Sequence, residues 1–203
     1  GQIALESRRA RCLVVGEDLG TVPEGLGAAL QSANVLSYRV LWFERREERF
    51  ITPAEWPARA AACVSTHDLP TLAGFWTGAD LAERAQLGLL PDLPAAMAER
   101  ARDRAALCDL LAAEALLPEG ATPDAPLDDA LAAAIHALVA RTPSALMLVQ
   151  AEDLAGEAIA VNLPGTDRAR PNWRRRLPVA VEALTALPRA RALLETLRRL
   201  RPG

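Results

Sequence analysis

The sequence contains no lysine, so its 23 basic residues are all arginines, against 26 acidic residues and a formal net charge of −3. We attribute the absence of lysine to base composition rather than to mechanism. The arginines are dispersed along the chain, and the densest run spans only residues 174–176. A run this short is typical of a solvated helix end or an internal ion-pair site. The charge pattern therefore does not indicate a nucleic-acid-binding protein.

Cysteines and long apolar runs are also scarce. The three cysteines, Cys12, Cys63 and Cys108, are too few and too widely spaced for a disulfide framework or a CxxC metal site. Cys12 and Cys63 lie in apolar runs, which predicts buried thiols. No apolar run reaches 18 residues and the N-terminal residues lack a signal-peptide pattern, so we expect a cytoplasmic protein without a membrane span. Because the first residue is not Met, we expect a fragment of a longer protein.

Four short apolar runs alternate with helical patterns. The hydrophobic fraction of 51% over 203 residues suits one or two domains with a real core. Predicted strands cover residues 13–15, 38–43, 61–65 and 144–150. Predicted helices cover residues 23–32, 79–117, 127–141 and the chain after 179. Pro91 and Pro94 would break the second of these, and Pro188 would break the last. The helix over 127–141 is predicted to be amphipathic. Thr52 and Glu55 have the spacing of a capping box. The order predicts an α/β fold with a parallel sheet.

Polar side chains follow three of these predicted strands. Glu17 comes directly after the first strand, His67 and Asp68 after the third, and Glu152 with Asp153 after the fourth. Parallel α/β sheets, above all (β/α)8 barrels, carry their chemistry at the carboxyl ends of their strands. The sequence therefore predicts a site that includes Glu17 and Asp68.

Two carboxylates facing each other across a cleft suit glycosidic bond chemistry, in which one donates a proton and another attacks or stabilises the anomeric carbon. His67 could bind a sugar hydroxyl, and Trp42, Trp76 and Trp173 offer flat faces for sugar rings. From the residues alone, a capped loop, a structural histidine and core tryptophans remain open alternatives. Metal binding by Glu17, His67 and Asp68 lacks a supporting spacing. The segment 20–27 lacks the glycines and lysine of a phosphate-binding loop.

Four segments in order carry a family resemblance: GEDLGTVPEGL, STHDLPTLAGFW, ARTPSALMLVQAEDLAGE and VNLPGTDRARPNWRRRL, between residues 16 and 177. Together they resemble 4-alpha-glucanotransferase, also called amylomaltase, over about residues 3–200. The resemblance covers only the C-terminal part of such enzymes. It implies strands five to eight of an α-amylase-type (β/α)8 barrel, with residues 1–203 as the C-terminal portion of the catalytic domain. Residues 79–141 would form a mainly helical insertion between the last two strands.

The resemblance also implies roles for individual residues. Glu17 matches the general acid/base after the fifth strand, Asp68 matches the carboxylate that stabilises the transition state, and His67 matches a substrate-binding histidine. Asp18, Trp42 and Asn162 are further candidates for substrate binding. For Asn162, Trp173 and Arg174, a structural loop with its ion pairs is an equally good interpretation. The implied reaction is retaining transfer of α-1,4-glucan segments between maltooligosaccharides, without a metal or organic cofactor.

The main departure from the family is the nucleophile, an aspartate in an Arg-x-Asp-His segment of the fourth strand, which nothing here matches. We therefore expect this chain to need the N-terminal half of the enzyme, to be inactive alone and, with two exposed sheet edges, to associate or aggregate. Competing interpretations are an α-glucan hydrolase of the same superfamily, a non-catalytic glucan-binding module, and an α/β domain unrelated to sugars. We expect no nucleic-acid or membrane partner.

Overall fold

The computed structural model describes residues 1–202, whose centre is a parallel sheet. The sheet contains β1 (Val15–Gly16), β2 (Leu36–Val40), β5 (Ala60–Cys63) and β6 (Leu146–Leu148), in the order β1-β2-β5-β6. Every neighbouring pair is parallel, with Val15 opposite Leu36 and Ala61 opposite Leu146. A short antiparallel pair, β3 (Arg45–Arg46) with β4 (Arg49–Phe50), stands apart from it. The predicted α/β class and parallel sheet are confirmed.

Helices connect the strands and continue to the end of the described chain. They are α1 (Gln2–Ala10), α2 (Leu26–Ser32), α3 (Leu72–Thr77), α4 (Ala79–Gln86), α5 (Leu93–Ala113), α6 (Asp129–Ala140), α7 (Ala151–Ala155), α8 (Val181–Leu184) and α9 (Pro188–Leu200). Single 3₁₀ turns follow β2 at Leu41–Phe43 and precede β5 at Pro53–Glu55. Among residues 1–202, no helix has both the length and the apolar character required to cross a membrane.

The four predicted strands all form, with shifted bounds, but the first is not buried. β1 pairs on one side only, and Leu13 and Val15 beside that edge are 67% and 38% exposed. A continuous apolar run predicts a strand covered on both faces, whereas within residues 1–202 β1 is covered only in part, by Leu30 and Val35 beside Gly16. Cys12 lies between α1 and β1 and is exposed, so its predicted burial is wrong, whereas the predicted burial of Cys63 is confirmed.

The core lies between the sheet and the helices that follow β5. α6 packs against α9, α5 and β5, and every residue from 131 to 140 is buried. The predicted amphipathic character of this helix is therefore wrong. Its small residues are covered by neighbours on all sides, which a sequence pattern shows only as a high apolar content.

Helix starts follow local chemistry. Thr52 and Glu55 form the predicted capping box. Pro94 does not break a helix but stands at the second position of α5, where Asp92 caps the helix by accepting from the Ala95 amide. Pro188 likewise begins α9. Proline is tolerated in the first turn because the amide it lacks has no partner within the helix.

Candidate functional site

The loop after β1 places Glu17 and Asp18 in different environments. Glu17 is exposed, and its Oε1 accepts from the Leu19 amide at 2.6 Å. Asp18 is bound to β2: its Oδ1 accepts from the Tyr38 amide at 2.9 Å, and its Oδ2 pairs with Arg39 Nη2 at 3.3 Å. Glu17 is thus open to a ligand, whereas the carboxylate of Asp18 holds β1 against β2.

The loop after β5 presents His67 and Asp68 on a tightly bonded backbone. Ser65 Oγ donates to the Pro70 carbonyl at 2.6 Å, and the Asp68 amide donates to Thr66 Oγ1 at 3.2 Å. The side chains of His67 and Asp68 remain 57% and 46% exposed. Two local bonds therefore fix the backbone while the side chains of both candidate residues face solvent.

Asp68 joins residues from two distant segments. Its Oδ1 accepts from Asn162 Nδ2 at 2.6 Å, and its Oδ2 lies 3.3 Å from His67 Nε2. The His67 ring lies 5.1 Å from the ring of Trp173, which is 62% exposed. The structure thus brings together three of the six predicted site residues, His67, Asp68 and Asn162, with Trp173 beside them.

A buried arginine organises the segment that carries Asn162 and Trp173. Arg170 is 5% exposed and forms two bonds to the Glu83 carboxylate, at 2.9 and 3.2 Å. It also donates to the carbonyls of Ala160 and Val161. These bonds anchor the backbone on both sides of a polar cavity of about 560 Å³. The cavity is lined by Asn162, Thr166, Asp167, Arg168, Arg170, Pro171, Asn172, Trp173 and Arg174.

A second contact seats this segment on α3. A β-carbon at Gly74 would overlap the carbonyl oxygen of Ala158. Only glycine permits this close approach of backbone to helix. The approach explains why a glycine occupies the buried centre of α3, directly after the loop of His67 and Asp68.

Tyr38 and Cys63 lie on neighbouring strands near Glu17. Burial, the contact with Cys63 and the charge of Glu17 all raise the pKa of Tyr38. Burial and the charge of Asp153 raise the pKa of the Cys63 thiol to about 11, although its hydrogen bond to Tyr38 opposes this. Both groups therefore stay neutral at ordinary pH and add no charge beside Glu17.

Trp42 does not join the other predicted site residues. Its ring is stacked on Phe75 with the ring centroids 3.9 Å apart, and the residue is 8% exposed. Arg100 covers the Phe75 ring from 4.1 Å. One face of the indole is thus used by the core, which argues against the stacking role predicted for Trp42.

The exposed acids lie past strand ends on one side of the sheet. Because β1, β2 and β5 are parallel neighbours, Glu17 and Asp68 both follow carboxyl ends separated by one intervening strand. Adjacent strands lie about 4.8 Å apart. A saccharide-sized ligand could therefore contact both acids. Within residues 1–202, no cluster of three metal-ligating side chains accompanies them.

Sequence reasoning left out Arg170 and Asn172. Asn172 Oδ1 accepts from the Leu163 amide and from Arg170 Nη1, and its Nδ2 donates to Thr166. Both residues lie in the segment 161–177 used for the family resemblance, which was the available signal. The contacts of Asn172 lie within a loop that has no periodic pattern, and those of Arg170 extend to Glu83 in α4.

Comparisons with known proteins identify relatives along the whole chain. The sequence model of a family described as 4-alpha-glucanotransferase matches residues 1–182. A Haemophilus influenzae protein named 4-alpha-glucanotransferase is 38% identical over 180 residues, which cover 86% of this chain and 26% of that protein. The crystal structure of amylomaltase from Corynebacterium glutamicum superposes with a TM-score of 0.89 at 32% identity, over 98% of this chain and 30% of that one.

A more distant structure shares the fold. Amylomaltase from Streptococcus agalactiae, solved in complex with acarbose, superposes with a TM-score of 0.63 at 16% identity. The match covers 98% of this chain and 34% of that one. The chain thus spans about a third or less of the length of each of these relatives.

Proposed function

This chain belongs to the 4-alpha-glucanotransferase family, and we propose that the complete protein transfers α-1,4-glucan segments between maltooligosaccharides with Glu17 as its general acid/base. The observation that carries the proposal is the arrangement of Glu17 and Asp68 past the carboxyl ends of two strands of one parallel sheet. Both side chains are exposed, and the second is tied to His67 and Asn162.

The reaction is a double displacement that retains anomeric configuration. Glu17 protonates the glycosidic oxygen as a carboxylate nucleophile attacks the anomeric carbon, giving a covalent glucanyl-enzyme. Glu17, now ionised, then removes the proton from the 4-hydroxyl of an acceptor glucan. Its solvent-facing position and its single local bond to the Leu19 amide are compatible with both proton transfers.

Asp68 has a different task. Its two oxygens are engaged by Asn162 and His67, which orient the carboxylate towards the open side of the loop. There it would bind sugar hydroxyls and stabilise the positive charge that develops at the anomeric carbon. Trp173 provides an exposed ring face next to His67, and the acarbose complex of the S. agalactiae relative supports a saccharide ligand for this fold.

We place the nucleophile outside these 203 residues, on the strand that would pair with the free edge of β1. This edge and the free edge of β6 carry exposed apolar side chains, Val15 and Leu148. A sheet edge presents unpaired backbone N–H and C=O groups to which a further strand can bind. The N-terminal half of a (β/α)8 barrel, supplying strands one to four, is the partner that these two edges fit.

The test uses the full-length product of the gene that encodes this sequence, with maltotriose as the substrate. The proposal predicts glucose together with maltooligosaccharides longer than maltotriose. Products that only become shorter would identify a hydrolase instead. Tight binding without turnover would identify a glucan-binding protein.

The 203-residue chain serves as the matched control. Alone, it should release no glucose from maltotriose, because the covalent step lacks its nucleophile. Mixed or co-expressed with the preceding part of the gene product, it should regain turnover. Turnover by the purified short chain would show that a carboxylate within these residues acts as the nucleophile.

A further inference from the structure

His136 and Asp153 form a buried pair that the proposed reaction does not use. Each side chain is 1% exposed, and His136 Nε2 lies 3.6 Å from Asp153 Oδ2. Neither of these two atoms forms a hydrogen bond within the described residues. His136 belongs to α6, whereas Asp153 lies in α7, just beyond the carboxyl end of β6.

The hydrogen bond of His136 to the backbone places a proton on Nδ1. Nδ1 lies 2.9 Å from the Ala132 carbonyl, and a carbonyl oxygen can only accept, so Nδ1 donates. Nε2 then faces a carboxylate oxygen. A proton on Nε2 makes this contact attractive, whereas a bare lone pair would oppose the lone pairs of Oδ2. One proton between Nε2 and Oδ2 therefore makes this buried contact favourable.

The second oxygen of Asp153 reaches the segment that carries the candidate site. Oδ1 accepts from the Leu72 amide at 2.8 Å, and both groups are buried. Leu72 is the first residue of α3, and its N-cap, Thr71, accepts from the Gly74 amide. Asp68 precedes Leu72 by only four residues. One carboxylate thus connects α6 to the end of the loop of His67 and Asp68.

We propose that Asp153, held by His136, is a positioning residue that fixes the loop of His67 and Asp68 for glucan transfer, an inference that rests on the proposed function. A buried ion pair is weak evidence for stability, because apolar residues of similar volume often replace one without loss. A role in positioning the Leu72 backbone gives a reason to keep this polar pair in the core. Asp153 acts through the loop and does not contact substrate.

The experiment compares kcat and KM of full-length variants on maltotriose. Asp153→Leu removes the bond to Leu72, and we expect kcat to fall about 100-fold with little change in KM, the effect of displacing a reacting group by about 1 Å. Asp153→Asn keeps an acceptor for the Leu72 amide and offers a donor to a neutral His136, so it should retain most of the wild-type kcat. His136→Leu should lower kcat severalfold. The double variant should be no slower than Asp153→Leu, because His136 acts through Asp153.

Leu72→Pro removes the donor of the same hydrogen bond, because proline has no backbone N–H. Proline suits the first helical position, and the extended backbone of Thr71 (φ −58°, ψ 162°) is compatible with a following proline. This variant keeps Asp153 and His136, so it decides the question if Asp153→Leu does not fold. Ile135→Ala, equally buried in α6, is the control that should alter stability without altering kcat.

Wild-type kcat in folded Leu72→Pro or Asp153→Leu would overturn the proposal, as would an Asp153→Asn variant as slow as Asp153→Leu. Hydrogen exchange of the backbone amides over residues 64–72 tests the positioning proposal independently of whether the protein transfers glucan. If the full-length protein transfers no glucan, the proposed function fails. Faster exchange of this segment in Asp153→Leu, but not in Ile135→Ala, would still support positioning, and unchanged exchange would refute it.

Discussion

Asn162 donates a hydrogen bond of 2.6 Å to Asp68 across 94 residues of chain. The bond joins the loop after β5 to the segment that Arg170 organises. It leaves Asp68 Oδ2 beside His67, at 3.3 Å. The orientation of the proposed transition-state carboxylate therefore depends on two parts of the chain that are distant in sequence.

Replacing Asn162 by alanine should lower kcat about tenfold. A hydrogen bond to a charged group contributes about 1.5–3 kcal/mol, and we take the lower end because this pair is exposed. Steady-state kinetics of the full-length protein on maltotriose would measure the loss. Gln86→Ala, which removes an exposed amide in α4, is the control and should leave kcat unchanged. Equal kcat values for Asn162→Ala and wild type would show that the hydrogen bond from Asn162 to Asp68 does not contribute to catalysis.

Trp173 and Trp42 should respond differently to replacement. Trp173→Ala removes an exposed ring and should raise KM for maltooligosaccharides severalfold, with a smaller effect on the urea midpoint. Trp42→Ala removes a ring stacked on Phe75 in the core and should destabilise the fold by about 3–5 kcal/mol. Steady-state kinetics and calorimetric ligand titrations would measure the effect on substrate binding, and urea unfolding would measure the effect on stability. A larger loss of affinity for maltooligosaccharides in folded Trp42→Ala than in Trp173→Ala would show that Trp42, and not Trp173, stacks against the sugar rings.

Arg170→Ala should destabilise the segment around the polar cavity. Removing one partner of a buried ion pair costs about 3–5 kcal/mol, and we expect about 3 because Glu83 is a quarter exposed. Urea unfolding and limited proteolysis over residues 158–173 would report the change. Arg168→Ala alters an exposed arginine of the same cavity and should have little effect. Identical proteolysis patterns for the two variants would contradict this role.

Stability should fall as the pH rises above about 9. Burial raises the pKa of Cys63 to about 11 from 9.0, and it also raises the pKa of Tyr38 above 10.0. The unfolded chain therefore loses these protons at a lower pH than the folded chain does. The stability that the two groups contribute is complete below their pKa values in the unfolded chain, and it disappears as the pH passes their pKa values in the folded chain. Urea midpoints at pH 8 and pH 10.5 would show it.

Cys63→Ala should lose less stability between these two pH values than the wild type does, because it no longer contains the thiol of Cys63. Cys12→Ala is the matched control, since Cys12 is exposed, and it should follow the wild type. An equal loss in Cys63→Ala and Cys12→Ala would assign the pH dependence to other groups.

The sequence was informative where local chemistry decides the outcome. Short apolar runs correctly predicted all four strands of the sheet, and polar residues after β1 and β5 correctly placed Glu17, His67 and Asp68 past strand ends. The capping box at Thr52 was predictable because both of its partners lie within one helical turn.

The errors arose where the environment is set by other segments. Cys12 and Val15 lie in an apolar run that resembles a buried strand, yet Cys12 is an exposed residue after α1 and Val15 stands at a partly exposed sheet edge. Trp42 has the same side chain as Trp173, and only tertiary packing separates a core ring from an exposed one. The bond from Asp153 to Leu72 spans 81 residues and has no sequence spacing that could predict it.

The role of Glu17 can be tested most directly with a donor that does not require an acid. Glu17→Ala in the full-length protein should transfer glucan from maltotriose about 10²–10⁴-fold more slowly than wild type. Because fluoride leaves without protonation, formation of the glucanyl-enzyme from an α-maltosyl fluoride should be largely preserved, and azide should intercept it. Glu24→Ala, a nearby exposed acid, should behave as wild type. Equal losses on both donors in Glu17→Ala would contradict the assignment of Glu17 as the general acid/base.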